Sequence, residues 1–274
     1  MMSPSIWALC GFILVGVWIP GSADQLPKPN DYSEFGIENI HLVKNVSEIL
    51  NFHPKQKMAV VYTRDCDELF QLGHTESGLY VIRPEGSPKL VVQCYMYDCN
   101  GWTVIQRNSH NTEITWSTVW TSYKYGFGNI ESDHWLGNKY INLLTTQKLN
   151  KVRIILTDSN GQTRFAEYDT FHVKEENDQY RLRLGAYSGD AGDSMSSSSL
   201  KNLHDNMRFS THDGDHDRNH NVECADDFGG GWWYDSCYDA QLNRKGIHWK
   251  THCDHNCKSS LIVIKPVHMR CHRA

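Results

Sequence analysis

Three carboxylates stand at alternate positions in Asp213-Gly214-Asp215-His216-Asp217. Alternation on a tight loop can aim oxygens at one centre, and hard Ca²⁺ takes carboxylate and carbonyl oxygens, so this run is a candidate calcium loop. It is not an EF-hand, because Arg218 falls where that motif has its invariant glycine and Cys224 where it has its closing glutamate. A second run, His252-Cys253-Asp254-His255-Asn256-Cys257, offers imidazole and sulfur donors of the kind Zn²⁺ prefers, with His248 and His268 in reach by sequence. Nine of the 15 histidines lie from His204 onward, so this end of the chain would gain positive charge near pH 6. Serine, histidine and aspartate are abundant, yet there is no Gly-x-Ser-x-Gly elbow, His-Glu-x-x-His pair or phosphate loop to organise them for catalysis.

The chain that must position these loops has 274 residues, 39% hydrophobic and 22% charged, a globular composition. A net charge of −5 disfavours nucleic acid or an anionic membrane as the main partner. Ile6 to Ile19 is an apolar run of 14 residues, short of the roughly 18–20 needed to span a membrane. Pro20 and Gly21 end it, and Gly21-Ser22-Ala23 predicts a signal peptide over 1–23 with cleavage after Ala23. No other stretch is apolar enough to span, so a secreted protein is expected. Of nine cysteines, Cys10 leaves with the signal, and the remaining eight predict disulfides in an oxidising compartment.

Residues 24–64 form a separate N-terminal segment in which Leu42, Val43, Val46, Ile49 and Leu50 predict a short amphipathic helix, either docked on the main domain or used for oligomerisation. Asn45 heads the one glycosylation sequon. A helix is expected to start at Asp65–Phe70 and another to lie within Trp135–Lys148. Strands are expected at Gly78–Ile82, Leu90–Tyr95, Trp102–Gln106, Val152–Leu156, Phe165–Tyr168, Tyr180–Leu184 and Ser260–Ile264. Without βαβ alternation, the prediction is an α+β fold around an antiparallel sheet. Residues 185–257 lack periodicity and need other staples, for which disulfides and a metal are the usual means.

Several blocks then fall into a known order: Asp65-Cys66; Ser77-Gly78-Leu79-Tyr80; Cys94; Gly101 to Arg107; Tyr123 to Gly128; Trp135-Leu136-Gly137-Asn138; Tyr187 to Ser194; Phe209-Ser210-Thr211; and Cys224-Ala225 followed by Gly230 to Tyr234 and Cys237. From Asp65 to about Cys271 the chain resembles the fibrinogen C-terminal domain family, which includes fibrinogen-like proteins, ficolins, tachylectins and angiopoietins. It looks most like a short fibrinogen-like protein. The resemblance implies one such domain over 65–274, with bridges Cys66–Cys94 and Cys224–Cys237 and a late strand returning to the central sheet. It also implies a loop-rich C-terminal lobe stabilised by calcium. Asp215 and Asp217 would give side chains and the backbone near Asn219 and Asn221 carbonyls, with one residue more between Asp217 and Cys224 than the family carries.

In lectin-like members a pocket beside the second disulfide holds acetyl groups, and Trp233, Tyr234, Cys237 and Tyr238 stand at matching positions, with a cis peptide implied at Ser236-Cys237. Core packing is the other reading of these aromatics. Leu242 to Lys245 runs almost directly into Gly246-Ile247-His248-Trp249, where the family usually has a longer segment carrying the pocket's other wall. Cys99, which stands where the family has glycine, joins Cys253, Cys257 and Cys271 as surplus cysteines. They predict two further bridges in one of three pairings, or a zinc site. The expectation is a secreted, non-enzymatic protein that binds an extracellular protein ligand or receptor. The alternative is a lectin for acetylated glycans, disfavoured by the short segment and by the lack of a stalk for avidity.

Overall fold

The computed structural model describes residues 62–109, 111–197 and 201–267. The signal peptide, nearly all of the N-terminal segment with its amphipathic helix, Asn45 and Cys271 lie outside the described residues.

Asp65 caps the first helix, α1 (Cys66–Gln71), by accepting the Glu68 N–H at 2.9 Å. Lys148 pairs with Asp65 and Glu68 at 2.8 and 2.7 Å and ties that cap to the middle of the chain. The antiparallel strands β1 (Gly78–Ile82), β2 (Leu90–Tyr97) and β3 (Asn100–Ser109) follow. The β2–β3 hairpin turns through Asp98 and Cys99 with φ of 49° and 57°. Two successive left-handed residues are what a two-residue hairpin turn requires, a conformation that glycine adopts most readily and that Cys99 takes here.

A short helix α2 (Trp120–Tyr125), the paired two-residue strands β4 (Phe127–Gly128) and β5 (His134–Trp135), and the helix α3 (Asn138–Gln147) come next. The hairpin β6 (Asn150–Asp158) and β7 (Thr163–Val173) carries the edge strands β8 (Leu182–Leu184) and β9 (Tyr187–Gly189). The expected strand at Tyr180 begins two residues late, because Gln179 and Tyr180 are left-handed (φ 49° and 50°) and take the chain out of a turn. In the described residues from 201 to 256 the C-terminal lobe holds α4 (Cys224–Phe228) and the two-residue pair β10 (Ala240–Gln241) and β11 (His248–Trp249). The last of the described strands, β12 (Cys257–Pro266), then enters the middle of the sheet, whose order is β1-β2-β3-β12-β6-β7-β8. The fold is α+β with a central antiparallel sheet, and β12 is the returning strand.

A buried amide network docks the irregular lobe on this sheet. Gln106 Nε2, from β3, donates to Leu242 O at 3.0 Å and to Asn243 Oδ1 at 3.2 Å. Asn108 Nδ2 donates to Leu242 O and Arg244 O at 2.7 and 2.8 Å, and Asn243 Nδ2 to Gly231 O at 3.0 Å. Gly230 has φ 96°, and a β-carbon there would lie 1.8 Å from Asn243 O, so only glycine lets the two segments touch. Around the network, Phe209 and Trp233 meet edge to face at 5.2 Å, and Trp135 and Trp232 flank Trp233, all fully buried.

Gln106→Ala leaves the buried Asn243 Oδ1 without this donor and Leu242 O with Asn108 alone, at a cost of about 1–3 kcal/mol, which for a domain of this size lowers the unfolding midpoint by several degrees. An unchanged melting curve would show that the network does not hold the lobe.

Candidate functional site

The acidic loop is a chain of side-chain-to-backbone turns. Asp215 Oδ1 accepts the Asp217 N–H at 3.0 Å, Asp217 Oδ1 the Asn219 N–H at 2.7 Å, and Asn219 Oδ1 the Asn221 N–H at 3.0 Å. Asp217 Oδ2 also accepts from Cys224 N at 2.9 Å, joining the loop to the start of α4. Burial, together with the neighbouring Asp215 charge, pushes the Asp217 carboxyl above its ordinary value. Arg218 turns away and binds Asp235 Oδ1 at 2.6–2.7 Å. Two adjoining carboxylates that repel each other, on a loop rich in backbone oxygens, fit an oxygen-seeking divalent cation. Asp213 faces elsewhere: its Oδ1 accepts from Trp120 N and Thr211 Oγ1, both at 2.7 Å, so it fastens the loop to α2.

Cys224–Cys237 closes the loop region with a sequence separation of 13, which on the chain-entropy account contributes about 3 kcal/mol. Asn219 Nδ2 reaches Cys237 Sγ at 3.6 Å, so acidic loop and disulfide are in direct contact. The Ser236-Cys237 peptide is cis. Around it, Asp235 N donates to Cys237 O at 2.8 Å, and Asp235 Oδ2 accepts Leu203 N at 2.9 Å.

His204, which no sequence pattern singles out, holds both flanks of this segment. Its Nδ1–H donates to Trp233 O at 2.8 Å, and Nε2 accepts the N–H groups of Asp239 and Ala240 at 3.2 and 3.0 Å. This pairing fixes the tautomer. Full burial pushes its pKa down to about 4.

The four expected pocket residues divide in two. Trp233 and Tyr234 are wholly buried: the Trp233 indole N–H donates to Tyr180 O at 2.8 Å and the Tyr234 hydroxyl to Gly230 O at 2.8 Å. Both rings serve the core. Cys237 is buried in its disulfide, and Tyr238 alone of the four is part-exposed. Tyr238 packs edge-on to Phe228 at 5.0 Å and to His248 at 5.2 Å, and its hydroxyl accepts from Arg244 Nη1 at 2.6 Å. Arg244 and His248 come from the shortened segment, so a cation and an imidazole stand beside this ring. The turn at Arg244 and Lys245 also borders a groove of about 370 Å³ between Thr115, Trp116, Phe228 and Gly229.

Among the described residues Cys66–Cys94, Cys224–Cys237 and Cys253–Cys257 are bridged. The last bridge settles one of the surplus pairings and rules out a zinc–thiolate site at Cys253 and Cys257, because both sulfurs are spent on each other. Cys99 lies exposed at the hairpin tip.

Residues 62–266 match the family of fibrinogen beta and gamma chains, C-terminal globular domain, and the chain belongs to that family. It is 48% identical over 193 residues to fibrinogen-like protein 1-like protein of Gallus gallus, covering 69% of this chain and 67% of the relative. It is 42% identical over 194 residues to human fibrinogen-like protein 1 (68% and 61% covered), and 43% over 185 residues to techylectin-5A of Tachypleus tridentatus (65% and 61%). The chain thus spans about three-fifths to two-thirds of the length of these curated relatives. The fibrinogen-like globe domain of human ANGPTL6 superposes with a TM-score of 0.70 at 34% identity, over 77% of this chain and 98% of that one. Lamprey fibrin D-dimer, complexed with the peptide Gly-His-Arg-Pro-amide, superposes with a TM-score of 0.71 at 29% identity (84% and 83% covered).

The buried His204 imidazole makes stability pH-dependent. Below its ordinary value of 6.5 the unfolded chain takes up a proton that the folded chain refuses until about pH 4. Its contribution is complete above pH 6.5 and falls through that window by about 1.4 kcal/mol per pH unit. The melting midpoint is expected to drop between pH 6.5 and 4, less steeply in His204→Gln; equal slopes would remove His204 as the cause.

Proposed function

We propose that this chain is a secreted, non-enzymatic recognition protein whose calcium-stabilised C-terminal lobe binds an extracellular protein ligand or receptor. One observation carries the choice of ligand class: Trp233 and Tyr234 are sealed in the core, while Tyr238 faces outward beside Arg244. An acetyl group needs a dry cup around its methyl, and a single half-buried ring with a guanidinium at its edge supplies little of one. Arg and Tyr together suit a peptide surface instead, where both are favoured anchors. The peptide held by the lamprey relative points the same way. Similarity to a protein named as a lectin, techylectin-5A, favours acetylated glycan as the second reading. The apolar run at 6–19, three disulfides among the described residues, and the absence there of any helix long and apolar enough to cross a membrane are consistent with secretion.

Asp215 and Asp217, with backbone oxygens near Asn219 and Asn221, would hold the calcium. The ion supplies positive charge that cancels the carboxylate repulsion, and so fastens the loop against Cys224–Cys237.

Two measurements test this reading. Calcium at about 100 times its dissociation constant stabilises the fold by about 2.7 kcal/mol, so the melting midpoint rises by several degrees in wild type and not in Asp215→Asn. A midpoint indifferent to millimolar calcium removes the ion from the proposal. Binding to cell surfaces is expected to be lost after protease treatment of the cells and weakened by Arg244→Ala, with no retention on N-acetylglucosamine beads. Retention on the beads with release by acetate would replace the protein-ligand reading with the glycan one.

A further inference from the structure

The bridge that removes two sulfurs from metal chemistry brings three other donors together. Cys253 and Cys257 close a five-residue ring, and Asp254 and His255 project from it. His248, in β11, lies against them. Its Nδ1 is 2.9 Å from Asp254 Oδ1, and His255 Nε2 is 3.6 Å from the same oxygen. All three donor atoms lie within 4.8 Å of one another.

A zinc ion binds imidazole nitrogen and carboxylate oxygen at about 2.0–2.2 Å, so neighbouring donors around a tetrahedral ion are about 3.3–3.5 Å apart. The distances of 2.9 and 3.6 Å bracket that spacing. An independent observation points to a ligand here. The His248 side chain is only 7% exposed, and its Nδ1 makes no hydrogen bond despite its closeness to Asp254. A buried nitrogen aimed at a carboxylate, but misaligned for donating to it, is an unmet polar group, and such groups are costly unless something occupies the gap. The ring of His255 lies 4.2 Å from that of His248, tilted by 32°, and Tyr238 meets His248 edge-on at 5.2 Å and His255 at 6.4 Å.

We propose that His248 Nδ1, Asp254 Oδ1 and His255 Nε2 form a zinc-binding site distinct from the calcium loop. Two imidazoles and one carboxylate suit Zn²⁺ and not Ca²⁺, which wants six or more oxygens. The disulfide ring pre-organises two of these donors. Asp254 and His255 are 67% and 55% exposed, so the fourth coordination position opens to solvent. It does so at the edge of a groove of about 870 Å³ that His255 shares with Ser159, Lys245, Asn256 and Lys258. The site does not depend on the identity of the protein's ligand or on calcium.

The test uses the disulfide-intact chain without a histidine tag, stripped of metal and titrated with ZnCl₂ in a calorimeter. Co²⁺ serves as a second, spectroscopic probe. One equivalent of Zn²⁺ is expected to bind, and one equivalent of Co²⁺ to give the visible absorption of a tetrahedral nitrogen–oxygen site. Asp254→Asn and His255→Gln, both at exposed positions, are each expected to weaken binding about 10-fold or more, the scale on which changes around zinc sites act. His220→Gln, an exposed histidine outside the cluster, is expected to bind as wild type does. Failure to bind one equivalent, or undiminished affinity in both cluster variants, overturns the assignment.

Discussion

Most of the C-terminal lobe has no helix or strand to absorb its backbone hydrogen bonds, and every other feature depends on how that deficit is met. Buried N–H and C=O groups must find partners, and here side chains provide them. Gln106 and Asn108 reach from the sheet to the carbonyls of Leu242 and Arg244, and Asn243 returns a bond to Gly231. His204 stitches residue 233 to residues 239 and 240, and Asp235 supports Leu203 and Arg218. Tyr238, Arg244 and the acidic loop all leave from segments whose backbones are held this way.

The staples act in series. Asp217 contacts the Cys224 backbone, Cys224 is bridged to Cys237, and Asn219 touches the Cys237 sulfur, so the acidic loop, the disulfide and the cis peptide form one mechanical unit. The Cys253–Cys257 ring performs a similar local task where the segment is short, for about 2 kcal/mol on the chain-entropy account.

What the sequence revealed follows the physics of each signal. Alternating apolar residues announced the hairpins, because one face of each strand must be buried. Asp65 announced α1, because its carboxylate has a defined job at a helix start. Ordered blocks of glycine, tryptophan and cysteine announced the family. The amide network was not legible: Gln106, Asn108 and Asn243 look like surface residues until their partners, more than a hundred positions away for the first two, are folded against them. His204 was hidden for the same reason. For Trp233 and Tyr234 the sequence leaves a pocket wall and core packing both open, because nothing in a run of aromatics says which rings face inward. Tyr180 fell outside its expected strand because a left-handed pair can follow a turn without glycine.

The order of the sheet has a consequence for how the molecule is made. β12 lies between β3 and β6, yet it is the last of the described strands to be synthesised. Until it leaves the ribosome, β3 and β6 present unpaired edges, and the amides of β3 have no lobe to receive them. The protein cannot mature gradually from its amino end. Its centre closes only when the whole lobe is present, and until then the nascent chain exposes the kind of strand edge that chaperones shield.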